Sequence, residues 1–197
     1  MRKLAGETGP APTDSETAAS KIKVLLVDDY GEFRRTTAEL LEHENDRIEV
    51  IEAASVDDAL SYFDSESIDC IVSDYEMPEA DGIEFVETVR QSNGDLPFIL
   101  LTGQGSEKLA SEAVSAGVTD YIQKSHGTQQ YAVLAKRVRN AVERVRAKAT
   151  ADATQARTKR ILDATSDAVL VSVADTVVYA NPAAVDLFSA ADSDELR

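Results

Sequence analysis

The sequence is poor in several features that mark secreted and membrane proteins. It has no tryptophan. Cys70 is its single cysteine, so an internal disulfide bond is impossible. No stretch approaches the roughly 18 consecutive apolar residues of a membrane span, and the basic first residues are not followed by an apolar segment. We therefore expect no membrane partner and no secretory signal, which agrees with a place in the reducing cytoplasm.

Basic residues are scarce as well. Lys and Arg number 20 against 36 Asp and Glu, which gives a formal net charge of -16 at pH 7. This balance argues against nucleic-acid binding across the whole surface, and no direct nucleic-acid partner is visible in the overall composition. Dispersed acids with few lysines resemble the composition of proteins from salt-loving microbes such as haloarchaea, so we expect molar salt to stabilise the fold by screening charge repulsion.

Short apolar runs alternate with amphipathic stretches along the first two thirds of the chain. The runs are typical of buried strands, and the stretches between them have helical periodicity. Five such alternations predict an α/β fold in which a doubly wound parallel sheet carries helices on both faces. The predicted strands cover residues 23–27, 48–51, 69–73, 97–101 and 118–122, and the helices cover 32–43, 56–64, 83–91, 106–116 and a segment from 128.

Polar side chains follow four of the predicted strands at their carboxyl ends. Because these ends lie on one edge of a parallel sheet, we expect the side chains to meet in one crevice. Three of them are carboxylates, and each carboxylate pair costs about a few kcal/mol at an effective dielectric near 20. A hard divalent cation removes this cost, and oxygen ligands with room for water favour Mg²⁺. The converging residues are Asp28, Asp29, Asp74, Thr102 and Lys124.

Asp74 is the candidate nucleophile of this crevice. It stands where a buried strand ends and a loop containing Pro78 begins. With a cation bound nearby, its carboxylate can stay ionised and attack phosphorus. Lys124 offers a positive charge to the phosphoryl oxygens, and the Thr102 hydroxyl offers a hydrogen-bond donor. The sequence therefore predicts that Asp74 accepts a phosphoryl group.

These residues together resemble the receiver domain of two-component response regulators. The resemblance covers residues 21 to 131 or slightly beyond, and it implies a flavodoxin-like sheet with the strand order 2-1-3-4-5. It also implies that Asp74 takes its phosphoryl group from a histidine kinase or phosphotransfer protein, and that the domain is a signalling phosphoacceptor rather than an enzyme. The matching motifs are Asp28-Asp29, Asp74-x-x-Met77-Pro78-x-x-x-Gly82, Thr102-Gly103 and Asp120-Tyr121-Ile122-x-Lys124.

The same resemblance implies a ligand set for the metal. Residues at the positions of Asp28 and Asp29 hold Mg²⁺ in this family, with Asp29 and Asp74 as direct ligands. The backbone carbonyl of Glu76 stands at the position of a further ligand.

A switch pair is implied too, formed by Thr102 and Tyr121. In the family the hydroxyl moves to the phosphoryl group and the aromatic ring turns inward behind it, which changes the face of the fourth helix, fifth strand and fifth helix. Ser125 departs from the family pattern, because a proline usually follows the lysine matched by Lys124. The departure puts the associated cis peptide bond in doubt, but not the charge.

The fifth helix has no signal that ends it. No Gly or Pro occurs between residues 128 and 181, so we predict a helical linker or coiled coil over residues 131–160. Three interpretations remain open: a solvated helix with a weak coiled-coil seam, a stalk that forms a homodimer and carries a signal, and a nucleic-acid-binding rod. The helix is locally basic through Lys136, Arg137, Arg139, Arg144, Arg146, Lys148, Arg157, Lys159 and Arg160.

Residues 161–197 resemble the first third of a PAS sensor domain. Two predicted strands, 168–173 and 176–179, precede a helix that opens at Pro182, which gives a partial α+β segment. Such a short segment cannot close a core of its own, so it is either part of a longer protein or completed by a partner. The strands and helix that line a PAS ligand pocket are not among these residues, so the sequence assigns no cofactor to this segment. The matching residues are Ile161-Leu162-Asp163, Ser166-Asp167-Ala168, Tyr179-x-Asn181-Pro182-Ala183-Ala184 and Leu187-Phe188.

Four segments are therefore predicted. Residues 1–20 form a disordered arm because they are rich in small and polar residues, residues 21–130 form the receiver, residues 131–160 the linker, and residues 161–197 the opening of the PAS domain.

Two other functions remain as alternatives. A Mg²⁺-dependent phosphohydrolase often places a second acid two residues after its nucleophile, and Glu76 superficially fits that position. The absence of a recognisable lid and the adjacent pair Asp28-Asp29 favour the receiver. The second alternative is an interaction module that is never phosphorylated, which the complete set of acids, Thr102 and Lys124 disfavours. A dinucleotide-binding fold is disfavoured because no glycine-rich turn follows the first strand.

Overall fold

The computed structural model describes residues 20–78, 80–103, 107–125, 127–174 and 176–194. The predicted disordered arm lies outside this range except for Ser20. The chain divides into two compact units, Met1–Val142 and Glu143–Arg197. The division falls within the predicted linker, and the predicted domain borders remain predictions.

The first unit is built on a five-stranded parallel sheet with the order β2-β1-β3-β4-β5. This confirms the predicted fold class and strand order. The strands are β1 (Ile22–Val27), β2 (Ile48–Ala53), β3 (Cys70–Asp74), β4 (Phe98–Thr102) and β5 (Asp120–Gln123), and the helices are α1 (Gly31–Glu44), α2 (Val56–Ser65), α3 (Gly82–Ser92), α4 (Glu107–Ala116) and α5 (Gln129–Asp163).

The sheet is covered on both faces, because alternate residues of each strand point to opposite sides. One group of side chains, the α1/α5 cluster, packs Leu26 and Val72 against Leu41 of α1 and Leu134 of α5. The other, the α2–α4 cluster, packs Leu25 and Leu100 with residues of α2, α3 and α4 such as Ala59, Phe85 and Ala113. β3 and β4 are buried along their whole length, as expected for central parallel strands.

β5 begins at Asp120, two residues later than predicted. The preceding residues close α4 instead: Gly117 has a φ of 89°, and the Val118 amide donates a hydrogen bond to the Ala113 carbonyl at 3.0 Å. Gly117 thus ends the helix, and the same closure takes Val118 out of the strand.

Gly82 allows α3 to begin against the carboxyl end of β3. Its amide donates to the Tyr75 carbonyl at 2.9 Å. A Cβ at this position would lie 2.7 Å from the Asp74 carbonyl oxygen and would also clash with Leu100 Cδ1. Asp81 caps the helix by accepting hydrogen bonds from the amides of residues 83 and 84, each at 2.9 Å. The loop after Asp74 is therefore tied at both ends.

The predicted long helix is confirmed, since α5 extends from Gln129 to Asp163. An apolar stripe of this helix is buried in the first unit at Leu134, Val138 and Val142. From residue 147 to 160 every described position is exposed, including the basic side chains of that segment. Among the helices that the structure describes, none combines the length and the apolar character that crossing a membrane requires.

The second unit contains a hairpin of two antiparallel strands, β6 (Leu170–Val173) and β7 (Thr176–Ala180), and the helix α6 (Pro182–Asp194). Asn181 joins these elements to the end of α5. Its Nδ2 donates to the carbonyls of Leu162, Thr165 and Asp167, at 2.9 to 3.3 Å. Its Oδ1 accepts hydrogen bonds from the amides of residues 169 and 184, at 2.8 and 2.9 Å. A single buried amide therefore fixes the start of the hairpin, the start of α6 and the last turn of α5.

Candidate functional site

Three carboxylates meet at the carboxyl edge of the sheet in the first unit. Asp28 and Asp29 follow β1, and Asp74 ends β3, the neighbouring strand. One oxygen of each lies within 4.8 Å of an oxygen of the others. Asp28 and Asp74 are buried, whereas Asp29 is exposed. The predicted convergence of these acids is thus present in the structure.

Lys124 reaches the same point from β5. Its Nζ lies 2.9 Å from Asp28 Oδ2 and 2.8 Å from Asp74 Oδ2. The strand period of two explains this meeting, because each of the three residues follows a member of the α1/α5 cluster by two positions: Leu26, Val72 and Ile122. All three charged side chains therefore emerge on the α1/α5 side of the sheet.

Burial dominates the electrostatics of Asp28, whose side chain is 1% exposed. Loss of solvent raises the pKa of this carboxyl above its ordinary value, and the charge of Asp74 acts in the same direction. The hydrogen bond and charge of Lys124 oppose that rise without cancelling it. Asp28 thus shares one ammonium group with Asp74, and this ammonium compensates only part of the desolvation and repulsion that Asp28 experiences.

The pKa of Lys124 is raised in turn. Burial acts to lower it, but the hydrogen bonds to Asp74 and Asp28 and the charges of both carboxylates outweigh that effect. The ammonium also lies over the ring of Phe33, 4.3 Å from the ring centroid. The lysine is thus held in its charged form between two carboxylates and an aromatic face.

Backbone amides orient the two buried carboxylates. The Tyr30 amide donates to Asp28 Oδ1 at 2.9 Å, and the Tyr75 amide donates to Asp74 Oδ1 at 2.8 Å. Each acid therefore keeps one oxygen on the backbone and directs the other toward Lys124.

Arg34 fixes the backbone of the loop after β1. Its Nη1 donates to the Asp28 carbonyl at 2.5 Å, and its Nε donates to Glu52 Oε2 of β2 at 3.2 Å. Sequence reasoning missed Arg34 and the contact of Phe33 with Lys124. Their placement on the first turns of the helix after the acid pair is the signal that could have indicated them.

The remaining predicted site residues are Thr102, Tyr121 and Glu76, and they differ in burial and in their contacts. Thr102 is fully buried at the end of β4, and its carbonyl accepts a hydrogen bond from the Lys124 amide at 2.7 Å. Tyr121 is half-buried and packs on the α2–α4 cluster. Glu76 is exposed, two residues beyond Asp74. The switch movement of Thr102 and Tyr121 and the role of the Glu76 carbonyl as a ligand stay predictions.

A cleft of about 120 Å³ opens beside Asp29. It is lined by the segment 54–56 after β2 and by Met77, Pro78 and Ala80 of the loop after β3. The exposed carboxylate of Asp29 thus faces solvent-accessible space, whereas the other two acids are enclosed.

The donor set fits a hard divalent cation such as Mg²⁺. Mg²⁺ takes oxygen ligands at about 2.0–2.1 Å, so two oxygens on one ion lie at most about 4.2 Å apart. The spacing of up to 4.8 Å in the acid cluster is within a small side-chain adjustment of that limit. Mg²⁺ also retains several waters, which the exposed side of Asp29 can admit. The residues that would hold it are Asp28, Asp29 and Asp74.

Two protein families match the sequence. The profile described as response regulator receiver domain matches residues 24–139, which is more than half of the chain. The profile described as PAS domain matches residues 156–196. The two matches fall in the same order as the predicted segments.

Individual relatives match over the receiver part. The transcriptional regulatory protein ResD of Bacillus subtilis is 33% identical over 117 residues, which are 59% of this chain and 48% of ResD. The cyclic di-GMP phosphodiesterase response regulator RpfG of Xanthomonas campestris is 33% identical over 112 residues, 56% of this chain and 30% of RpfG. The chain thus spans less than half the length of either protein.

A solved structure shows the same fold. The chemotaxis protein CheY4 of Vibrio cholerae superimposes with a TM-score of 0.56 and 30% sequence identity, covering 60% of this chain and 99% of CheY4. Together with the profile match over more than half of its length, this likeness leads to one conclusion: the chain belongs to the response regulator receiver domain family.

Proposed function

We propose that the first unit is a phosphoacceptor in a two-component phosphorelay and that Asp74 carries the phosphoryl group. The observation that carries the proposal is the position of Asp74 at the end of a buried central strand, with its Oδ2 2.8 Å from Lys124 Nζ and close to two further carboxylates. The Tyr75 amide holds this carboxylate in place, and the neighbouring Lys124 ammonium provides a positive charge for phosphoryl oxygens.

The proposed reaction is one phosphoryl transfer. An Asp74 carboxylate oxygen forms a bond to the phosphorus of a phosphohistidine in a histidine kinase or phosphotransfer protein, and the bond from phosphorus to the imidazole nitrogen breaks. The imidazole leaves with the electron pair of that bond and takes up a proton, while Asp74 becomes an acyl phosphate.

Each neighbouring residue has a role in this transfer. Mg²⁺, when bound by Asp28, Asp29 and Asp74, supplies positive charge that lowers the repulsion between the carboxylates and the phosphoryl oxygens. Lys124 supplies a fixed positive charge to the same oxygens, and the Thr102 hydroxyl supplies a hydrogen bond. The Glu76 carbonyl completes the proposed metal ligands. The proposed activity is one self-phosphorylation per molecule followed by dephosphorylation, not sustained catalysis.

The output of the phosphorylated state is proposed to follow α5. Thr102 and Tyr121 change position, which alters the face formed by α4, β5 and the first part of α5. The helix supports such a relay because its residues contribute to both units: Leu134 and Val138 lie in the α1/α5 cluster, and the Leu162 carbonyl is bonded to Asn181. The PAS-like segment is the proposed receiver of that signal, and the exposed part of α5 is a proposed homodimer contact.

The chemical proposal is tested by phosphorylation with a small donor. Acetyl phosphate and Mg²⁺ should add one phosphoryl group per wild-type molecule, measured by intact-mass spectrometry, and Asp74→Asn should add none. Lys124→Ala should keep the metal site but accept the group more slowly, because the phosphoryl oxygens lose their fixed positive charge. Asp57→Asn and Lys108→Ala change exposed residues of α2 and α4 and serve as matched controls.

Two results would contradict the proposal. Unchanged phosphorylation of Asp74→Asn would assign the group to another residue. Continuous release of phosphate from a phosphate ester, dependent on Asp74, would favour the phosphohydrolase alternative, because a receiver forms one acyl phosphate and loses it slowly.

A further inference from the structure

Phe33 contacts the charged centre from α1. Its ring centroid lies 4.3 Å from Lys124 Nζ, which is within the distance at which an ammonium is attracted to an aromatic face. The ring is half-buried and packs on the α1/α5 cluster. This packing restricts the position of the ring beside Lys124.

The three contacts of the ammonium differ in one respect. Lys124 Nζ can donate three hydrogen bonds, and it lies 2.9 Å from Asp28 Oδ2 and 2.8 Å from Asp74 Oδ2. Both carboxylates are proposed metal ligands, and Asp74 is also the proposed phosphoryl acceptor. The Phe33 ring takes part in neither role, so its attraction for the ammonium persists when the carboxylates acquire new partners.

We infer that Phe33 is a positioning residue for phosphoryl transfer, which holds the Lys124 ammonium at the edge of the sheet while its carboxylate partners are engaged by metal and phosphate. The inference rests on the proposed function. Without the ring, the flexible lysine side chain would be held only by the Asp28 and Asp74 oxygens, and these oxygens bind metal or phosphorus during the proposed reaction. The ring therefore preserves the location of the positive charge through the transfer.

The test separates the charge-holding role of the ring from its role in packing. Phe33 is replaced by phenylalanine carrying one, two or three ring fluorines, which weakens the attraction for a cation stepwise while keeping nearly the same shape. Phe33→Tyr retains an aromatic face, and Phe33→Leu removes it. Phe63→Leu, at a half-buried position on the α2–α4 cluster, is the matched control for the loss of an aromatic side chain.

The first measurement is the rate of Asp74 phosphorylation by acetyl phosphate at saturating Mg²⁺. We expect Phe33→Leu to react about fivefold more slowly, the fluorinated series to decline in order, and Phe33→Tyr to remain near the wild type. The Mg²⁺ dissociation constant, measured by calorimetry, should stay constant through the series. A flat fluorinated series would overturn the inference, even if Phe33→Leu were slow, because that pattern indicates packing alone.

The second measurement does not depend on phosphorylation. The Lys124 ammonium lies over the ring, so the signals of the adjacent CεH₂ protons should be shifted upfield by the ring current in the wild type and in Phe33→Tyr, and should return to ordinary values in Phe33→Leu. Ordinary values in the wild type would overturn the inference. If the wild type showed the upfield shift but took no phosphoryl group, the proposed function would fail while the contact itself stood.

Discussion

The two units of the chain differ in the kind of polar group that they bury and in how that group is paired. The first unit has an apolar core on both faces of its sheet and collects its buried charges at one edge, where Asp28 and Asp74 share Lys124. The second unit buries one neutral amide, Asn181, which is 0% exposed and has each polar atom of its side chain bonded. Lys124 offsets only part of the electrostatic cost of burying Asp28, whereas the hydrogen bonds of Asn181 pair both polar atoms of its side chain.

The two units also differ in how far their apolar side chains are buried. Large side chains of the hairpin and of α6 remain between 43% and 62% exposed, whereas the corresponding residues of the central strands in the first unit are fully covered. The exposed residues are Leu170, Val171, Val173, Val177, Val178, Val185, Leu187 and Phe188. With so little apolar burial, the order of the second unit depends on directed hydrogen bonds, and its sensitivity to a single polar substitution should be high.

Asn181→Ala should therefore have the largest effect. The substitution leaves several carbonyls and two amides without their partner, and we expect the second unit to lose at least about 3 kcal/mol of stability. Hydrogen exchange followed by NMR should show lost protection at the amides of Val169 and Ala184, with the first unit unchanged. Asn140→Ala, at an exposed position of α5, is the control. Retained protection at both amides would mean that the apolar contacts, not Asn181, order this unit.

Gly82→Ala tests the first unit at a buried position, as Asn181→Ala does in the second. The added Cβ meets the Asp74 carbonyl and Leu100, and the backbone of β3 cannot yield without moving Asp74 itself. We expect the first unit to lose about 2 kcal/mol of unfolding free energy, measured with urea, together with slower phosphorylation. Gly94→Ala has nothing within 4 Å of the added carbon and should be nearly neutral. Equal effects of the two substitutions would show that close approach at Gly82 is not what positions the loop.

The contrast between the units also explains which parts of the molecule were predictable from sequence. The convergence of Asp28, Asp74 and Lys124 follows from strand ends and a period of two, which are local properties. The contact of Phe33 with Lys124 depends on the rotation of α1 about its axis, which tertiary packing decides. The late start of β5 depends on how Gly117 closes α4.

Asn181 illustrates the same limit in the second unit. The sequence places it in a motif before α6, but four of its five side-chain hydrogen bonds reach residues 12 to 19 positions away along the chain. Such a set exists only after the hairpin has closed on the end of α5. Likewise, the absence of Gly and Pro after residue 128 predicts a long helix but gives no position at which one unit ends and the next begins.

Mg²⁺ should stabilise the first unit and not the second. A cation bound by Asp28, Asp29 and Asp74 in the folded state adds about 1.4 kcal/mol to the unfolding free energy at ten times its dissociation constant. The measurement is a urea titration of the first unit with and without MgCl₂, alongside hydrogen exchange of the second unit. Asp29→Asn should abolish the gain, whereas Asp57→Asn should keep it. An equal gain in Asp29→Asn would place the cation elsewhere on this acidic surface.

The smallest expected effect concerns alkaline pH, at which each unit loses a stabilising proton from a different group. In the second unit Tyr179 donates a hydrogen bond to Asp163 Oδ1 at 2.6 Å, which raises the pKa of the phenol to about 12 from its ordinary value of 10.0. Between these two values the folded state keeps a proton that the unfolded state has released. The contribution of Tyr179 is therefore complete below about pH 10 and declines as the pH rises toward 12.

The stability of the first unit depends on pH with the same sign, because the pKa of Lys124 is raised in the folded state. Its contribution to stability is complete below the unfolded pKa of 10.5 and is lost as the pH rises through the folded pKa. The variant Tyr179→Phe distinguishes the two sources. Thermal unfolding followed by circular dichroism at about pH 9 and about pH 11 should show a smaller decline in Tyr179→Phe than in the wild type, while Tyr62→Phe on α2 should follow the wild type. If Tyr179→Phe declined as steeply as the wild type, the alkaline loss would belong to groups of the first unit with raised pKa values, such as Lys124 and Tyr75, and the hydrogen bond to Asp163 would contribute nothing to the end of α5.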